Sequence, residues 1–114
     1  MNVLYQAAAN ASGTAFGADG DDVEIFKLIV GNPTTSANIY LFHEINPGSS
    51  SNTTGLVFKH TAPGTLATGQ LPYEIDLTDG SGHGLILNSG GSVIIDQSLQ
   101  LTVLWAPASE NAGV

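Results

Sequence analysis

The sequence predicts an all-β protein, an antiparallel β-sandwich or jelly roll of about seven to eight short strands with an extended N-terminal arm. Short apolar stretches alternate with turn residues about every 8–12 positions, a spacing typical of sandwich strands. Residues 71–77, LPYEIDL, have an apolar side chain at every second position, which is the period of a strand with one buried face. No stretch has the period of an amphipathic helix, so we expect no helical layer.

The length of 114 residues fits a single domain. We expect residues 1–22 to form an arm and a turn, because they are weakly apolar without a sustained period. Residues 23–105 hold the predicted strands and therefore the sandwich core, and residues 106–114 form a tail. Residues 1–12 lack a basic start and a long apolar stretch, so we expect no signal peptide there.

The first predicted strand, residues 23–30, is apolar on both faces. Strict alternation places Phe26, Leu28 and Val30 on one face and Val23, Ile25 and Ile29 on the other, with Lys27. Apolar side chains on both faces favour a central strand, or one with a partner subunit on its outer side.

The second predicted strand, residues 37–43, places Tyr40 and Phe42 on the face opposite Ile39 and Leu41. If the aliphatic pair fills the core, the aromatic pair faces outward, where exposed aromatic side chains usually mark an interface or a sugar-binding cleft. The opposite orientation stays open, because the sequence alone does not set the register.

Two long loops and one closing hairpin complete the predicted organisation. Residues 45–55 and 61–69 are rich in turn residues, and loops of this length often carry contacts. Residues 90–105 predict a strand, a polar turn at 96–98 and a second strand with Leu99, Leu101, Val103 and Trp105 on one face. An apolar hairpin face of this kind needs a second sheet to cover it.

Composition excludes several classes of function. Only 11% of the residues are charged, and the formal net charge is −8 with two basic side chains. Binding to nucleic acid or to anionic membranes is therefore not expected, because both need Lys and Arg. A surface with so few charges is typical of a protein that is largely covered by neighbouring subunits.

The sequence contains no recognisable catalytic or metal-binding motif. There is no cysteine, and His43, His60 and His83 are not spaced as a local ligand cluster. The acidic residues at 19–24 do not complete a calcium-binding loop, although a structural cation there stays an alternative. We therefore expect a non-enzymatic protein without catalytic residues, cofactor or metal.

Five segments together resemble a known class of protein. They are VGNPTTSA (30–37), NIYLFH (38–43), LPYEIDL (71–77), LNSGGSVII (87–95) and LTVLW (101–105), with Asn32, Gly91 and Ser92 at the turn positions. This order resembles the small β-sandwich virion proteins of tailed bacteriophages, which include capsid decoration (cement) proteins and related head or tail accessory proteins. The resemblance implies a structural role on the capsid surface, often as a homotrimer, with the major capsid protein or another virion protein as partner.

Six apolar side chains are the predicted contacts with a sister subunit or with the capsid: Val3, Leu4, Tyr5, Phe16, Tyr40 and Phe42. We expect the arm, residues 1–16, to lie on a neighbouring coat subunit and to add a strand to an exposed sheet edge. The alternative function is a carbohydrate- or receptor-binding module, or a tail accessory protein, with ligand contacts in the loops at 45–55 and 61–70.

Overall fold

The computed structural model describes residues 1–10, 12–31, 36–63 and 72–108. Two antiparallel sheets pack together, which confirms the predicted all-β sandwich. The strands of the described residues are β1 Asn2–Gln6, β2 Thr14–Phe16, β3 Val23–Gly31, β4 Ala37–Phe42, β5 Leu56–Ala62, β6 Tyr73–Asp76, β7 Leu85–Leu87, β8 Gly91–Ile95 and β9 Gln100–Pro107.

The strand order is that of a jelly roll. One sheet, which we call sheet A, has the order β1-β9-β3-β6, and the short β7 also pairs with β3. The other, sheet B, has the order β2-β8-β4-β5. Most successive strands therefore lie in different sheets, so that the chain wraps around the core as it alternates between them.

The core is filled by the inward-facing aliphatic side chains of both sheets. Leu28 and Val30 of β3 and Leu101 and Val103 of β9 face inward from sheet A, and all four are fully buried. Sheet B contributes a matching set to the same cluster: Ala37, Ile39, Leu41, Val93 and Ile95. Burial of each such Leu, Ile or Val side chain contributes about 1.5–3 kcal/mol, which makes this cluster the main source of stability.

β3 is a central strand, the first of the two alternatives that its apolar faces favour, with β9 on one side and β6 and β7 on the other. Its predicted faces are wrong, because the register with β9 shifts between Ile25 and Lys27. Phe26 is the extra residue of this β-bulge, which reverses the alternation on either side of it. Ile25 and Leu28 consequently both face the core, and Phe26 is left half-buried.

Residues 90–105 do not form the predicted hairpin. β8 lies in sheet B and β9 in sheet A, so their apolar side chains meet across the core instead of lying side by side. The Asp96 carboxylate holds the loop between β8 and β9 against β4. Its Oδ1 accepts a hydrogen bond from the backbone N–H of Asn38 at 2.6 Å, and its Oδ2 accepts one from the side-chain Nδ2 of Asn38 at 2.7 Å. The alternating pattern is the same for both arrangements, and the sequence alone did not separate them.

Two segments of the predicted arm belong to the sandwich. β1 pairs with β9 and β2 pairs with β8, so each becomes an edge strand of one sheet. Polar side chains join the two segments, because Thr14 Oγ1 donates to Gln6 Oε1 at 2.7 Å and Asn10 Nδ2 donates to Thr14 Oγ1 at 2.8 Å. The Asn10 side chain also binds the backbone of β8: its Oδ1 accepts a hydrogen bond from Ile95 N, and its Nδ2 donates one to Val93 O.

Smaller differences concern the ends of predicted segments. β5 includes Thr61 and Ala62, which the sequence analysis placed in a loop, and β9 extends into the predicted tail as far as Pro107. Asn32, most of the second predicted loop and residues 109–114 lie outside the described residues.

One glycine provides a test of the packing between β2 and β8. A methyl group on Gly91 would overlap the Phe16 ring and approach Leu87 Cδ1 to 2.8 Å. We expect Gly91→Ala to lower the free energy of unfolding by about 1–3 kcal/mol, as overpacked cores do. Chemical denaturation measures this loss.

Gly80→Ala is the matched control, because a methyl group there meets nothing within 4 Å and the backbone is not left-handed. It should leave stability unchanged or raise it by less than about 1 kcal/mol. Equal stability of the two variants would contradict the close packing of Phe16 on Gly91.

Candidate functional site

The outer face of sheet A carries an exposed apolar stripe along β1. Leu4 is paired with Val103 and packs against the core, so its neighbours Val3 and Tyr5 point outward. Val3 is 64% exposed and Tyr5 56% exposed, and Met1 next to them is 72% exposed. These three side chains, which we call the β1 stripe, are the candidate functional surface.

A groove of about 330 Å³ adjoins the β1 stripe. Its apolar walls are Met1, Phe26 and Leu104, and its polar lining comes from Lys27, Asp76, Thr78 and Gly82. The bulge in β3 explains why Phe26 is available here, since it removes this side chain from the inward-facing set. Leu104 pairs with Val3 on β1 and with Lys27 on β3, so it links the stripe to the groove.

Three charged side chains of the described residues, Lys27, Glu74 and Asp76, lie on this face in β3 and β6, on the side of the groove away from β1. Lys27 Nζ lies 3.1 Å from Glu74 Oε2, and Lys27 is paired with Asp76 across the strands. Both side chains of the ion pair are partly exposed, so the pair contributes little, about 0–1 kcal/mol. Hydrogen bonds from Thr78 lower the pKa of Asp76, and the charge of Lys27 lowers it further.

The turn that borders the groove, residues 77–84, is organised by two carboxylates. Asp79 Oδ1 accepts hydrogen bonds from Ser81 N at 2.8 Å, Ser81 Oγ at 2.7 Å and His83 N at 3.2 Å. Glu24, only 1% exposed, lies beneath the turn and accepts a bond from Gly84 N at 2.6 Å. The turn thus has a fixed shape where it meets the groove.

Three of the six predicted interface residues lie in β1. Val3 and Tyr5 belong to the exposed stripe, while Leu4 is half-buried against the core. The segment that carries them is a strand of its own sandwich, so it is not free to extend over a neighbouring subunit as expected. What it presents to a partner is its outer face and an edge that pairs with no other strand in the part of the chain that the structure describes.

Phe16 and Phe42 are not exposed, and their assignment as interface residues is wrong for this chain. Phe16 is 2% exposed in the core, with its ring centroid 5.8 Å from that of Trp105. Phe42 is 0% exposed although it lies on the outer face of sheet B, opposite Ser92. Its ring stacks on Tyr40, with centroids 6.4 Å apart.

Tyr40 is half-buried, and Lys59 Nζ lies 5.5 Å from the centre of its ring. Of the two orientations left open by the sequence, the structure has the one in which Ile39 and Leu41 fill the core and Tyr40 and Phe42 share the other face. The expectation that this face is bare is not met, because other parts of the chain cover much of it.

The loop at 43–55 lies against the outer face of sheet B. Pro47 is buried beside Gly13, and Ile94, which also lies near Gly13 on this face, is only 1% exposed. Asn52 Nδ2 donates to Glu44 Oε1 at 2.7 Å and to Pro47 O at 2.9 Å, which holds the loop in place. Several polar groups of the loop are thus engaged within the chain.

The three histidines do not converge. His60 Nε2 lies 2.9 Å from the Tyr73 hydroxyl, so this pair joins the β5 edge of sheet B to the β6 edge of sheet A. Burial raises the pKa of Tyr73. His83 lies 3.9 Å from the Glu24 carboxylate. Within the described residues, no group of three or more His, Cys, Asp or Glu side chains could hold a metal ion.

Sequence reasoning missed the groove, although one signal pointed to it. Leu104 is an apolar residue on the face of β9 that otherwise carries Gln100 and Thr102. Phe26 gave no signal of its own, because the bulge that places it is not visible in the alternation. Lys27, Asp76 and Thr78 are ordinary polar residues until the sheet brings them to one rim.

Comparison with known proteins adds no family to this description. No family model matches the chain, and no curated protein matches it. In the part of the chain that the structure describes, no helix is long and apolar enough to span a membrane.

The Asp79 turn yields a prediction about pKa. The Ser81 hydroxyl, followed by the Ser81 and His83 amides, holds the pKa of Asp79 below its ordinary value. Ser81→Ala removes the largest contribution, so we expect the pKa of Asp79 to rise toward that value. Titration followed by NMR of the side-chain carboxyl carbon measures the change.

Asp76 is the internal control, because its lowered pKa depends first on Thr78 and should not change in the Ser81→Ala variant. Because the pKa of Asp79 is lower in the folded chain than in the unfolded chain, its ionised carboxylate stabilises the fold. This stabilisation is fully present at pH values above the unfolded-state pKa and is lost as the pH falls through the folded-state pKa. An unchanged Asp79 pKa in the variant would contradict the role of the hydroxyl.

Proposed function

We propose that this chain is a non-enzymatic virion structural protein, a capsid decoration protein that binds the outer capsid surface and stabilises the head. The observation that carries this proposal is the β1 stripe beside the apolar groove on the outer face of sheet A. Apolar side chains that lie together on a surface mark sites of protein–protein contact more often than isolated ones do.

The chemistry of the face supports docking on a protein. Met1, Phe26 and Leu104 offer apolar area whose removal from water contributes about 25 cal/mol per Å². Tyr5 adds an aromatic ring with a polar tip, a residue type enriched where proteins associate. The Lys27–Glu74 pair lies at the rim, where charges set orientation more than affinity.

The remaining surface supports attachment within a crowded array. Only 11% of the residues are charged, and several polar side chains of the described loops are hydrogen-bonded within the chain. A surface of this kind is suited to contact with neighbours on several sides. Many copies on one lattice would also strengthen attachment through avidity, so that each single contact can remain modest.

The jelly roll agrees with this function without deciding it. Jelly rolls form viral capsid domains as well as lectin domains, and a fold by itself does not determine a function. The proposal therefore rests on the exposed face. The homo-oligomer and the location on the capsid, which the resemblance to phage virion proteins implies, are part of the same proposal.

Particle attachment is the direct test. In virions of the virus whose genome encodes this chain, we expect the chain to co-sediment with intact heads and to increase their resistance to heat. Tyr5→Asp places a charge in the β1 stripe and should weaken binding to undecorated heads at least about tenfold, a loss of about 1.4 kcal/mol.

Val57→Asp is the matched control, because Val57 is an exposed apolar strand residue of sheet B, 38% exposed. It should bind heads like the unchanged chain. Absence of the chain from virions, or equal binding of the two variants, would contradict the proposal. Selective binding to a glycan array, abolished by changes in the loop at 45–55, would support the alternative of a carbohydrate-binding module.

A further inference from the structure

The edges of the two sheets differ in how they are protected from pairing with another chain. β2 and β7 have only three residues each, and β6 has four residues and carries Glu74 and Asp76. β5 carries Lys59 and an irregularity in its register with β4. Short length, charge and bulges are the usual means of keeping an edge unpaired.

β1 has none of these protections. Its five residues, Asn2–Gln6, pair with β9 in an uninterrupted register and include no Pro and no charged side chain. The whole of residues 1–18 lacks acidic and basic side chains, and so do residues 97–109, which include the adjacent β9. In a chain with a net charge of −8, this edge is where a second copy approaches without bringing acidic side chains together.

We propose that β1 pairs antiparallel with β1 of a second copy about a two-fold axis, joining the two A sheets into one continuous sheet. The same strand on both sides makes the contact self-complementary, so it closes with two copies. This arrangement replaces the trimer that the resemblance to phage virion proteins implies.

Two constraints define the register. Directly opposed residues point to the same face, so the outer face stays continuous only if the two residue numbers of each pair sum to an even number. A sum of eight uses all five residues of β1. Leu4 then lies opposite Leu4 of the partner subunit, Val3 opposite its Tyr5 and Asn2 opposite its Gln6.

The side chains of β1 suit this register. Val3 and Tyr5 are both on the outer face, and each forms an aromatic–β-branched pair with the other copy, a favourable cross-strand combination. Asn2 and Gln6 are opposed at each end, so no charged side chain faces another there. A contact made by five residues of each copy buries less surface than a standard interface, which buries roughly 1,200–2,000 Å². We therefore expect a weak dimer whose population rises with protein concentration.

The first test introduces charged side chains at positions 3 and 5 and measures by sedimentation whether the chain is a monomer or a dimer. Val3→Lys with Tyr5→Lys places two introduced lysines opposite each other, and sedimentation should show a monomer. Val3→Lys with Tyr5→Glu places each introduced lysine opposite an introduced glutamate, and the dimer should persist, weakening as salt is added. Val57→Lys is the control for a charge on an exposed strand and should leave the dimer unchanged.

A second test does not depend on charged variants. The chain has no cysteine, so introduced thiols report contacts without background. Chains with Val3→Cys mixed with chains with Tyr5→Cys should form an intermolecular disulfide under mild oxidation, because opposed residues lie within disulfide reach. Either variant alone should cross-link at least about tenfold more slowly.

Several outcomes would overturn this inference: a monomer at all concentrations, a trimer, or equal cross-linking of the single variants and the mixture. Both tests use purified chain without capsids, so they do not depend on the proposed function. A dimer that never binds virions would refute only the decoration role, and a decorating monomer would refute only the β1 pairing.

Discussion

The structure depends on the burial of two apolar sheet faces against each other. Successive strands lie mostly in opposite sheets, so the inward face of one strand is covered by strands of the other sheet, including its neighbours in sequence. Leu101 and Val103 in β9 face Val93 and Ile95, which precede them by only a few residues yet lie in the other sheet. No local hairpin can supply this burial. Along the borders where the two sheets meet, polar side chains such as Asn10, Thr14 and His60 form hydrogen bonds.

Fold class was readable from the sequence because alternation and turn spacing are local properties. The pairing of strands was less readable. β8 and β9 have the alternation expected of a hairpin, but they lie in different sheets. Each strand needs an apolar face to cover its own, and here each provides that cover for the other across the core. The bulge at Phe26 was hidden for a related reason, since one extra residue reverses the faces without changing the composition.

The candidate site was predicted in part. Val3 and Tyr5 were identified as apolar residues in a segment without a core period, and the structure leaves both exposed. Phe42 was misassigned because alternation shows which face a side chain points to and not whether that face is covered: its ring stacks on Tyr40 and it is 0% exposed. The groove joins residues from β3, β6, β9 and the chain start, so its existence depends on tertiary structure.

The pairing of the first strand with the last has a consequence for biosynthesis. β1 finds its partner in residues 101–105, so sheet A cannot be completed until those residues have left the ribosome. Contacts of such long sequence separation also slow folding, because two distant segments must be brought together before this pairing is gained. Throughout that interval residues 1–18, which carry no charged side chain, lack their partner strand and are exposed to aggregation.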